Sequence, residues 1–321
     1  MVLYVLSGKG VPLFSVVIPV YKNEANVIDL LNELNGISGK FNGPVEIVFV
    51  VDGSPDRSEL MLKENINILQ CTSKVVSLTR NFGSFAAIRA GLSVSSGKYI
   101  GVIAADLQEP PSLLLDFHEK LLSNDYDIAF GSRESREDPL LSTIFSKTFW
   151  KLYKKFINPE IPDGGVDVFA INQKVKDEIL KLDESNSSLV GLLFWVGFRR
   201  CFVGYKRKKR EKGTSGWSFP AKVKYLMDSI FSFTDLPIKM VMRLGFLALS
   251  VSFVLGLIIL ISKLSGKIPL PGYAPITLIL TTFTGFNALV MAVIGNYVWR
   301  AFENTKQRPT SIIRNIDEFN A

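Results

Sequence analysis

The amino-acid sequence predicts an α/β domain with a mostly parallel sheet, followed by two membrane-spanning helices. Three observations support this fold class. Strand-like and helix-like patterns alternate through the first 170 residues. Two later stretches, 244–262 and 276–298, contain no charged residue. Lysine and arginine are concentrated outside those two stretches rather than in the loop between them.

The alternating region can be interpreted element by element. Apolar runs rich in β-branched residues predict strands at 14–21, 45–54, 74–80, 99–108 and 127–133. Amphipathic spacing predicts helices over 23–37 and 84–96. Near-continuous apolar strands that alternate with helices are typical of a parallel sheet covered on both faces.

Polar side chains end four of the five predicted strands. These are Tyr21 and Glu24, Asp52 and Ser54, Asp106 and Gln108, and Ser132 and Arg133. Ligands of open α/β sheets bind at the carboxyl ends of the strands, so these endings predict one shared pocket. The ending "GVIAADLQEPP" (101–111) has an alternative interpretation, in which Asp106 only caps the next helix. Glu24 has a similar alternative as a helix-start carboxylate.

The two uncharged stretches are each long enough to span a bilayer. At about 1.5 Å per residue, both can cross a hydrocarbon core of roughly 30 Å, and the alternative is a pair of buried soluble helices. Basic residues flank them on the outside, at Lys222, Lys224, Lys239 and Arg243 before and Arg300, Lys306, Arg308 and Arg314 after. The connecting loop holds only Lys263 and Lys267. We therefore expect both termini in the cytoplasm, and no signal peptide in the first ten residues.

Composition restricts the chemistry available to the chain. Its 321 residues include two cysteines, Cys71 and Cys201, and a single histidine, His118. We therefore do not expect a disulfide framework, a histidine-based metal site or a Ser-His-Asp triad. The two cysteines suit a protein of the reducing cytoplasm. Carboxylates must carry any metal binding or proton transfer.

A strongly basic segment, 199–224, precedes the first uncharged stretch. The chain has a formal net charge of +7, which alone would allow nucleic-acid binding. Because the segment adjoins a predicted span, anionic lipid head groups are the more economical partner, worth about 1 kcal/mol per basic residue. A solvated run of charge is the alternative.

Six motifs carry a resemblance to a known family. They are "SVVIPVYKNEANV", "VVDGSPDRS", "LTRNFGSFAAIRAGL", "AADLQEPP", "PDGGVDVFAIN" and "KRKKREKGTSGW". In this order and spacing the chain resembles family 2 glycosyltransferases of the polyprenyl-phosphate type, such as bactoprenol glucosyltransferases and dolichol-phosphate mannose synthases. The resemblance covers nearly the whole chain and implies a GT-A-like (Rossmann-like) domain that binds a nucleotide sugar.

The resemblance also implies roles for individual residues. Residues implied to bind the nucleotide sugar are Pro19, Tyr21, Glu24, Asp52, Ser54 and Arg80. Asp106 and Gln108 would hold Mg²⁺ or Mn²⁺, since a departing diphosphate gains charge that a hard cation stabilises. Asp167 would lie beside the acceptor phosphate, chiefly to position it and secondarily as a base, because most of a monoester with a pKa of about 6 is already ionised at neutral pH.

Acceptor or phosphate binding is implied for a further set: Arg133, Arg207, Arg210, Ser215 and Trp217. Trp217 has an equally good interpretation as an interfacial anchor. The sequence departs from the family pattern at Val51, Ala104, Phe169 and Gly216. These departures put the sugar and the acceptor geometry in doubt.

The expected domain boundaries are a catalytic domain at 1–215, a juxtamembrane segment at 216–240, two spans at 241–300 and a cytoplasmic tail at 301–321. The expected reaction is inverting transfer of a sugar, with UDP-glucose as best donor, to undecaprenyl phosphate for cell-envelope glycosylation. The alternatives are a processive polysaccharide synthase and a catalytically inactive membrane scaffold. The expected partners are the sugar nucleotide, the lipid acceptor and membrane lipid, without nucleic acid and with homo-oligomerisation left open.

Overall fold

The computed structural model describes residues 12–135, 150–151, 153–155, 158–162, 165–184, 187–208, 212, 219–265 and 273–320. The chain divides into two compact units. The first comprises Met1–Val223 together with Pro309–Ala321, and the second comprises Lys224–Arg308. The last residues of the chain therefore belong to the same unit as its first half.

One sheet forms the centre of the first unit. In chain order, its strands among the described residues are β1 (Phe14–Val20), β2 (Val45–Val51), β3 (Thr72–Leu78), β4 (Tyr99–Val102), β5 (Ile128–Ser135), β6 (Phe169–Asn172), β7 (Arg200–Lys206) and β8 (Ile313–Phe319). Their spatial order is β7-β5-β6-β4-β1-β2-β3-β8. Strands β4, β1, β2 and β3 pair in parallel, as do β5 and β7. Only β6 and β8 run antiparallel to their neighbours among these described strands, so the prediction of a mostly parallel α/β sheet is confirmed.

Helices connect the strands of this unit. Among the described residues, the main ones are α1 (Val27–Ser38), α2 (Ser58–Asn65), α3 (Ser84–Val94), α4 (Leu113–Leu122), α5 (Gln173–Lys181) and α6 (Leu189–Trp195). Helix α1 buries Val27, Leu30, Leu31 and Leu34, the spacing of one apolar face. Helix α3 approaches the sheet so closely at Gly91 that an added Cβ would clash with the side chain of Val17. A glycine is therefore required at that crossing.

Strand β4 is shorter than the sequence predicts. The apolar pattern suggests a strand through residue 108, but β4 ends at Val102. Five residues later, within the loop that follows, Leu107 adopts a positive φ of 57°. The polar residues that end "AADLQ" therefore lie in a loop beyond the strand.

A buried carboxylate lies at the amino end of the parallel strands. Glu46 is 1% exposed and pairs with Lys74 at 2.8 Å. It also accepts hydrogen bonds from the hydroxyls of Ser15 at 2.6 Å and Ser96 at 2.7 Å. Burial alone would raise the pKa of Glu46, but these contacts outweigh it and lower the pKa below its usual value. The network joins the starts of β1, β2 and β3 on the side opposite the polar strand ends.

Strand β8 closes the β3 edge of the sheet. It pairs antiparallel with β3 from Ser73 to Leu78. Ion pairs join Arg314 to Glu59 at 2.8 Å and Asp317 to Lys63 at 2.7 Å. Such partly exposed pairs contribute about 0.2 to 1 kcal/mol each, so the backbone ladder is the main attachment. Sequence reasoning predicted only a tail here.

The second unit contains three helices in the described part of the chain. They are α7 (Phe219–Phe233), which begins just before the unit boundary, α8 (Leu236–Leu264) and α9 (Tyr273–Thr305). Arg300 of α9 donates to Asp228 of α7 at 2.7 Å. Large apolar side chains on α8 and α9 are exposed, including Phe253 at 73% and Met291 at 67%.

One described helix is long and apolar enough to cross a membrane, over Leu236–Leu255 with a mean hydropathy of 1.8. It overlaps the first predicted span. The second predicted span, 276–298, lies in α9. Over the residues that the structure describes, α9 does not meet the combined requirement of length and apolar composition for a membrane-spanning helix. The connecting loop around Lys267 lies outside the described residues.

Candidate active site

The polar strand endings lie at one edge of the sheet. Strands β1 to β4 are parallel, and the two antiparallel pairings through β6 return β5 and β7 to the same direction. The segments after all six strands therefore emerge together. They form two groups of contacts, one after β1, β2 and β3 and one around β4, β5, β6 and β7.

Asp52 is the centre of the first group. It directly follows β2 and is 2% exposed. Its two carboxylate oxygens accept backbone N–H groups of Phe82 at 2.7 Å and Gly83 at 2.8 Å. Burial raises the pKa of Asp52, although both hydrogen bonds and the nearby Arg80 oppose that effect. Asp52 thus holds the loop after β3, in addition to any contact with a ligand.

Asp56, which the sequence analysis missed, joins the loops after β1 and β2. Its Oδ1 accepts from the hydroxyls of Ser54 at 2.6 Å and Ser58 at 2.7 Å. Its Oδ2 accepts the backbone N–H of Glu24 at 3.2 Å. The two serine hydroxyls accept in turn from the backbone of Lys22 and Asn23. The signal was present in "DGSPDRS", where an aspartate between two serines precedes a helix.

Glu24 and Ser54 are both part of this loop network. Glu24 accepts the backbone N–H of Arg57 at 3.0 Å through Oε2. Tyr21 is 39% exposed, Pro19 lies on β1 opposite Val50, and Arg80 lies 4.1 Å from the Phe82 ring centroid. All six residues predicted for nucleotide-sugar binding therefore lie on or just after β1, β2 and β3, where Glu24 and Ser54 also have structural contacts.

Replacing Asp56 by alanine is expected to lower the free energy of unfolding by about 1 to 3 kcal/mol, because it leaves several loop donors without an acceptor. Thermal unfolding of the purified protein in detergent measures the change. Asp177 on α5 is exposed, so Asp177→Ala is the matched control, with an expected change within about 0.5 kcal/mol. Equal melting temperatures of Asp56→Ala and Asp177→Ala would contradict the role of Asp56.

The loop after β4 carries the second group. Leu107 packs against the hydrophobic core with φ at 57°, an uncommon conformation for a bulky residue. This turn separates Asp106 from Gln108, and Asp106 Oδ1 accepts the backbone N–H of Gln108 at 3.2 Å. Helix α4 begins at Leu113 with Ser112 as its N-cap residue. Asp106 is therefore not the cap of that helix.

Gln108 contacts the segment that follows β7. Its side-chain oxygen accepts from Arg207 Nη2 at 2.8 Å, and its side-chain nitrogen donates to the carbonyl of Lys208 at 3.3 Å. The backbone N–H of Lys208 donates to the Gln108 carbonyl at 2.8 Å. The amide oxygen predicted to bind a cation is thus engaged by an arginine.

Arg133 and Asp167 form an ion pair between β5 and the start of β6. Arg133 Nε also donates to the Tyr205 hydroxyl at 3.3 Å. Burial, and then the neighbouring Arg207, lower the pKa of Arg133. Two cations that repel each other in a partly buried site favour anionic ligands such as phosphate. Arg133, Asp167 and Arg207, predicted as acceptor residues, are therefore assembled near the Asp106 loop.

Asp106 offers one carboxylate that could hold a divalent cation. Among the described residues, no cluster of three or more His, Cys, Asp or Glu side chains is arranged as a metal site. Mg²⁺ commonly binds through one or two carboxylates together with substrate phosphates and water, which a single aspartate satisfies. The side-chain oxygen of Gln108, the other predicted ligand, accepts a hydrogen bond from Arg207.

Three predicted acceptor residues, Arg210, Ser215 and Trp217, lie outside the described residues, as does Gly216. Of the other departures, Val51 and Phe169 are buried on β2 and β6. Sequence reasoning also missed Glu109 and Tyr205. Glu109 follows Gln108 within the quoted "AADLQEPP", and its acidic side chain beside two prolines was the available signal.

The amino-acid sequence is similar to those of known glycosyltransferases. Residues 15–180 match the family model described as Glycosyl transferase family 2. The uncharacterized glycosyltransferase YkcC of Bacillus subtilis is 32% identical over 94% of this chain and 93% of that protein. The bactoprenol glucosyl transferase of Shigella phage SfV is 30% identical over 94% of this chain and 98% of that protein.

Among solved structures, the chain resembles glucosyl-3-phosphoglycerate synthase from Mycobacterium tuberculosis in complex with Mn²⁺, UDP and glucosyl-3-phosphoglycerate. The TM-score is 0.49 at 16% identity, over 68% of this chain and 77% of that chain.

Proposed function

The chain belongs to glycosyl transferase family 2, and from that premise we propose that it transfers a sugar from a nucleoside diphosphate to a polyprenyl phosphate. The best donor is UDP-glucose and the best acceptor is undecaprenyl phosphate. One observation carries the proposal. Similarity at 30% identity extends over 98% of a bactoprenol glucosyl transferase, so it includes the apolar helices as well as the sheet.

The two groups of contacts suit the two halves of this reaction. We assign the nucleoside to the loops after β1, β2 and β3, an assignment that the exposure of Tyr21 and the loop network around it support. The group around Arg133 and Arg207 offers two guanidinium groups to phosphate oxygens, each also paired with one carboxylate. The donor diphosphate and the acceptor phosphate both need such charge.

The proposed step is one displacement at the anomeric carbon. An acceptor phosphate oxygen forms the new bond to that carbon, while the bond to the diphosphate breaks and its electron pair leaves on the diphosphate oxygen. Attack from the opposite face inverts the configuration. A cation held by Asp106 would supply electrostatic stabilisation of the leaving diphosphate. Arg133 and Arg207 orient the phosphates, and Asp167 orients Arg133 through their ion pair.

A screen of labelled sugar nucleotides with purified protein and undecaprenyl phosphate tests the proposal. The expected result is a lipid-linked monosaccharide that forms from one donor and requires Mg²⁺ or Mn²⁺. A polymeric product would instead support a processive synthase. Absence of both transfer and donor hydrolysis across the screen would support an inactive scaffold.

We also propose that the protein lies in the cell membrane as a multi-pass protein, with the catalytic unit and both termini cytoplasmic. The exposed apolar helix over Leu236–Leu255 and the basic flanks support this topology. In a chain whose Cys71 and Cys201 are replaced by serine, an engineered cysteine near residue 267 is expected to react with an impermeant maleimide from outside. A cysteine at exposed Asp125 is the control, and its labelling in intact cells would contradict the topology.

A further inference from the structure

Arg207 is held by two consecutive residues of the loop after β4. Its Nη2 donates to Gln108 at 2.8 Å, and its Nε donates to Glu109 Oε1 at 3.1 Å. Its remaining terminal nitrogen, Nη1, makes no hydrogen bond within the described part of the chain. One edge of the guanidinium is therefore fixed, and the opposite end is available to a ligand.

Glu109 is a buried carboxylate whose one hydrogen-bond partner among the described residues is Arg207. It is 1% exposed, and its Oε2 lacks a hydrogen-bond partner among the described residues. It does not cap α4, which begins four residues later with Ser112 as its N-cap residue. Removing a carboxylate from water is costly unless a paired charge compensates. The charges nearby are Arg207, Arg133 and Asp106.

We propose that Glu109 is a positioning residue that, together with Gln108, fixes the guanidinium of Arg207 so that its Nη1 end faces the phosphate oxygens of the reactants. The identity of those reactants rests on the proposed function. Glu109 pairs with Arg207 and also attracts Arg133 electrostatically, so it offsets the repulsion between the two arginines. An arginine that is already oriented loses less side-chain entropy when it binds phosphate.

Glu46 provides a matched control for this proposal. Both glutamates are 1% exposed, and each pairs with one cation. Glu46 lies at the amino end of the strands, away from the polar edge, so its role is structural only. Glu46→Gln is expected to lower the melting temperature and leave kcat/KM per folded molecule unchanged, whereas Glu109→Gln is expected to change kcat/KM.

The experiment is a double-mutant cycle on the full-length protein in detergent, with UDP-glucose and undecaprenyl phosphate. Arg207→Ala is expected to lower kcat/KM for the acceptor about 10- to 150-fold, the effect of one lost charge-assisted contact. Glu109→Gln is expected to lower it about tenfold, since it weakens but does not remove the same contact. Glu109→Gln in the Arg207→Ala background is expected to cause no further loss.

Calorimetric binding of inorganic pyrophosphate with Mg²⁺, measured on the same variants, separates this proposal from the proposed function. A wild-type protein that transfers no sugar, but whose pyrophosphate binding shows the same coupling, would overturn the function and support the positioning role. Two results with active protein would overturn the positioning role. In the first, the losses of kcat/KM caused by Arg207→Ala and Glu109→Gln multiply in the double variant. In the second, Glu109→Gln leaves kcat/KM unchanged, as Glu46→Gln does. If Glu109→Gln does not fold, Glu109→Asp, which keeps the charge but shortens the side chain, replaces it in the same cycle.

Discussion

Replacing Asp106 by asparagine is expected to reduce sugar transfer by at least about a hundredfold while the fold survives. The substitution keeps an oxygen that can accept the Gln108 N–H, now at 3.2 Å, but removes the negative charge that would hold a divalent cation. Loss of a main electrostatic stabiliser has an effect of this size. The measurement is turnover at saturating donor across titrations of Mg²⁺ and Mn²⁺, together with a melting curve.

The matched control is Asp116→Asn on α4, because Asp116 is an exposed aspartate ten residues along the chain. It is expected to leave turnover and metal requirement unchanged. Near-normal turnover of Asp106→Asn with an unaltered metal requirement would contradict cation binding by Asp106. The role of this side chain would then be structural, through contacts such as its hydrogen bond to Gln108.

Replacing Asp52 by alanine is expected to lower the free energy of unfolding by about 2 kcal/mol and to weaken donor binding. Two backbone N–H groups, of Phe82 and Gly83, would lose their acceptors, and an unsatisfied donor costs about 1 to 3 kcal/mol when buried. Relief of the buried charge offsets part of this cost. Thermal unfolding and titration with UDP measure the two effects.

Asp52→Asn separates the charge from the geometry, since its amide keeps one acceptor oxygen. Burial raises the pKa of Asp52 in the folded state from its ordinary value of 3.8. The protonated side chain of Asp52 therefore stabilises the fold fully below pH 3.8, and this stabilisation is lost as the pH rises through the folded-state pKa. The stability of wild type relative to Asp52→Asn should therefore be greatest in acid. A difference that grows as pH rises would contradict this assignment.

The polar edge of the sheet could be predicted from the sequence because two simple properties determine it. Apolar runs identify the buried strands, and parallel pairing places every carboxyl end on one side. A long-range contact could not be predicted in the same way. Nothing in "AADLQEPP" shows that Arg207, 99 residues away, donates to the side-chain oxygen of Gln108, and the role of Gln108 as a cation ligand stays a prediction.

Strand pairing explains another difference. The apolar pattern of "YIGVIAADLQ" continues past Val102, where β4 ends, because apolar periodicity does not report where pairing with the neighbouring strands stops. Strand β7 was missed since lysine and arginine dominate its surroundings, and β8 because its exposed positions carry Arg314 and Glu318. Such edge strands take their stability from the neighbouring strand rather than from their own composition.

Strand β8 has a consequence for synthesis of the protein on the ribosome. The chain completes β7 at Lys206 and does not reach the first residue of β8, Ile313, until after α7, α8 and α9. At about 5 to 20 residues per second, the β3 edge of the nascent sheet remains unpaired for roughly 5 to 20 s. Unpaired edges promote aggregation. A chain shortened before residue 309 would keep that exposed edge permanently, so a soluble fragment should retain 309–321 joined to the first 223 residues.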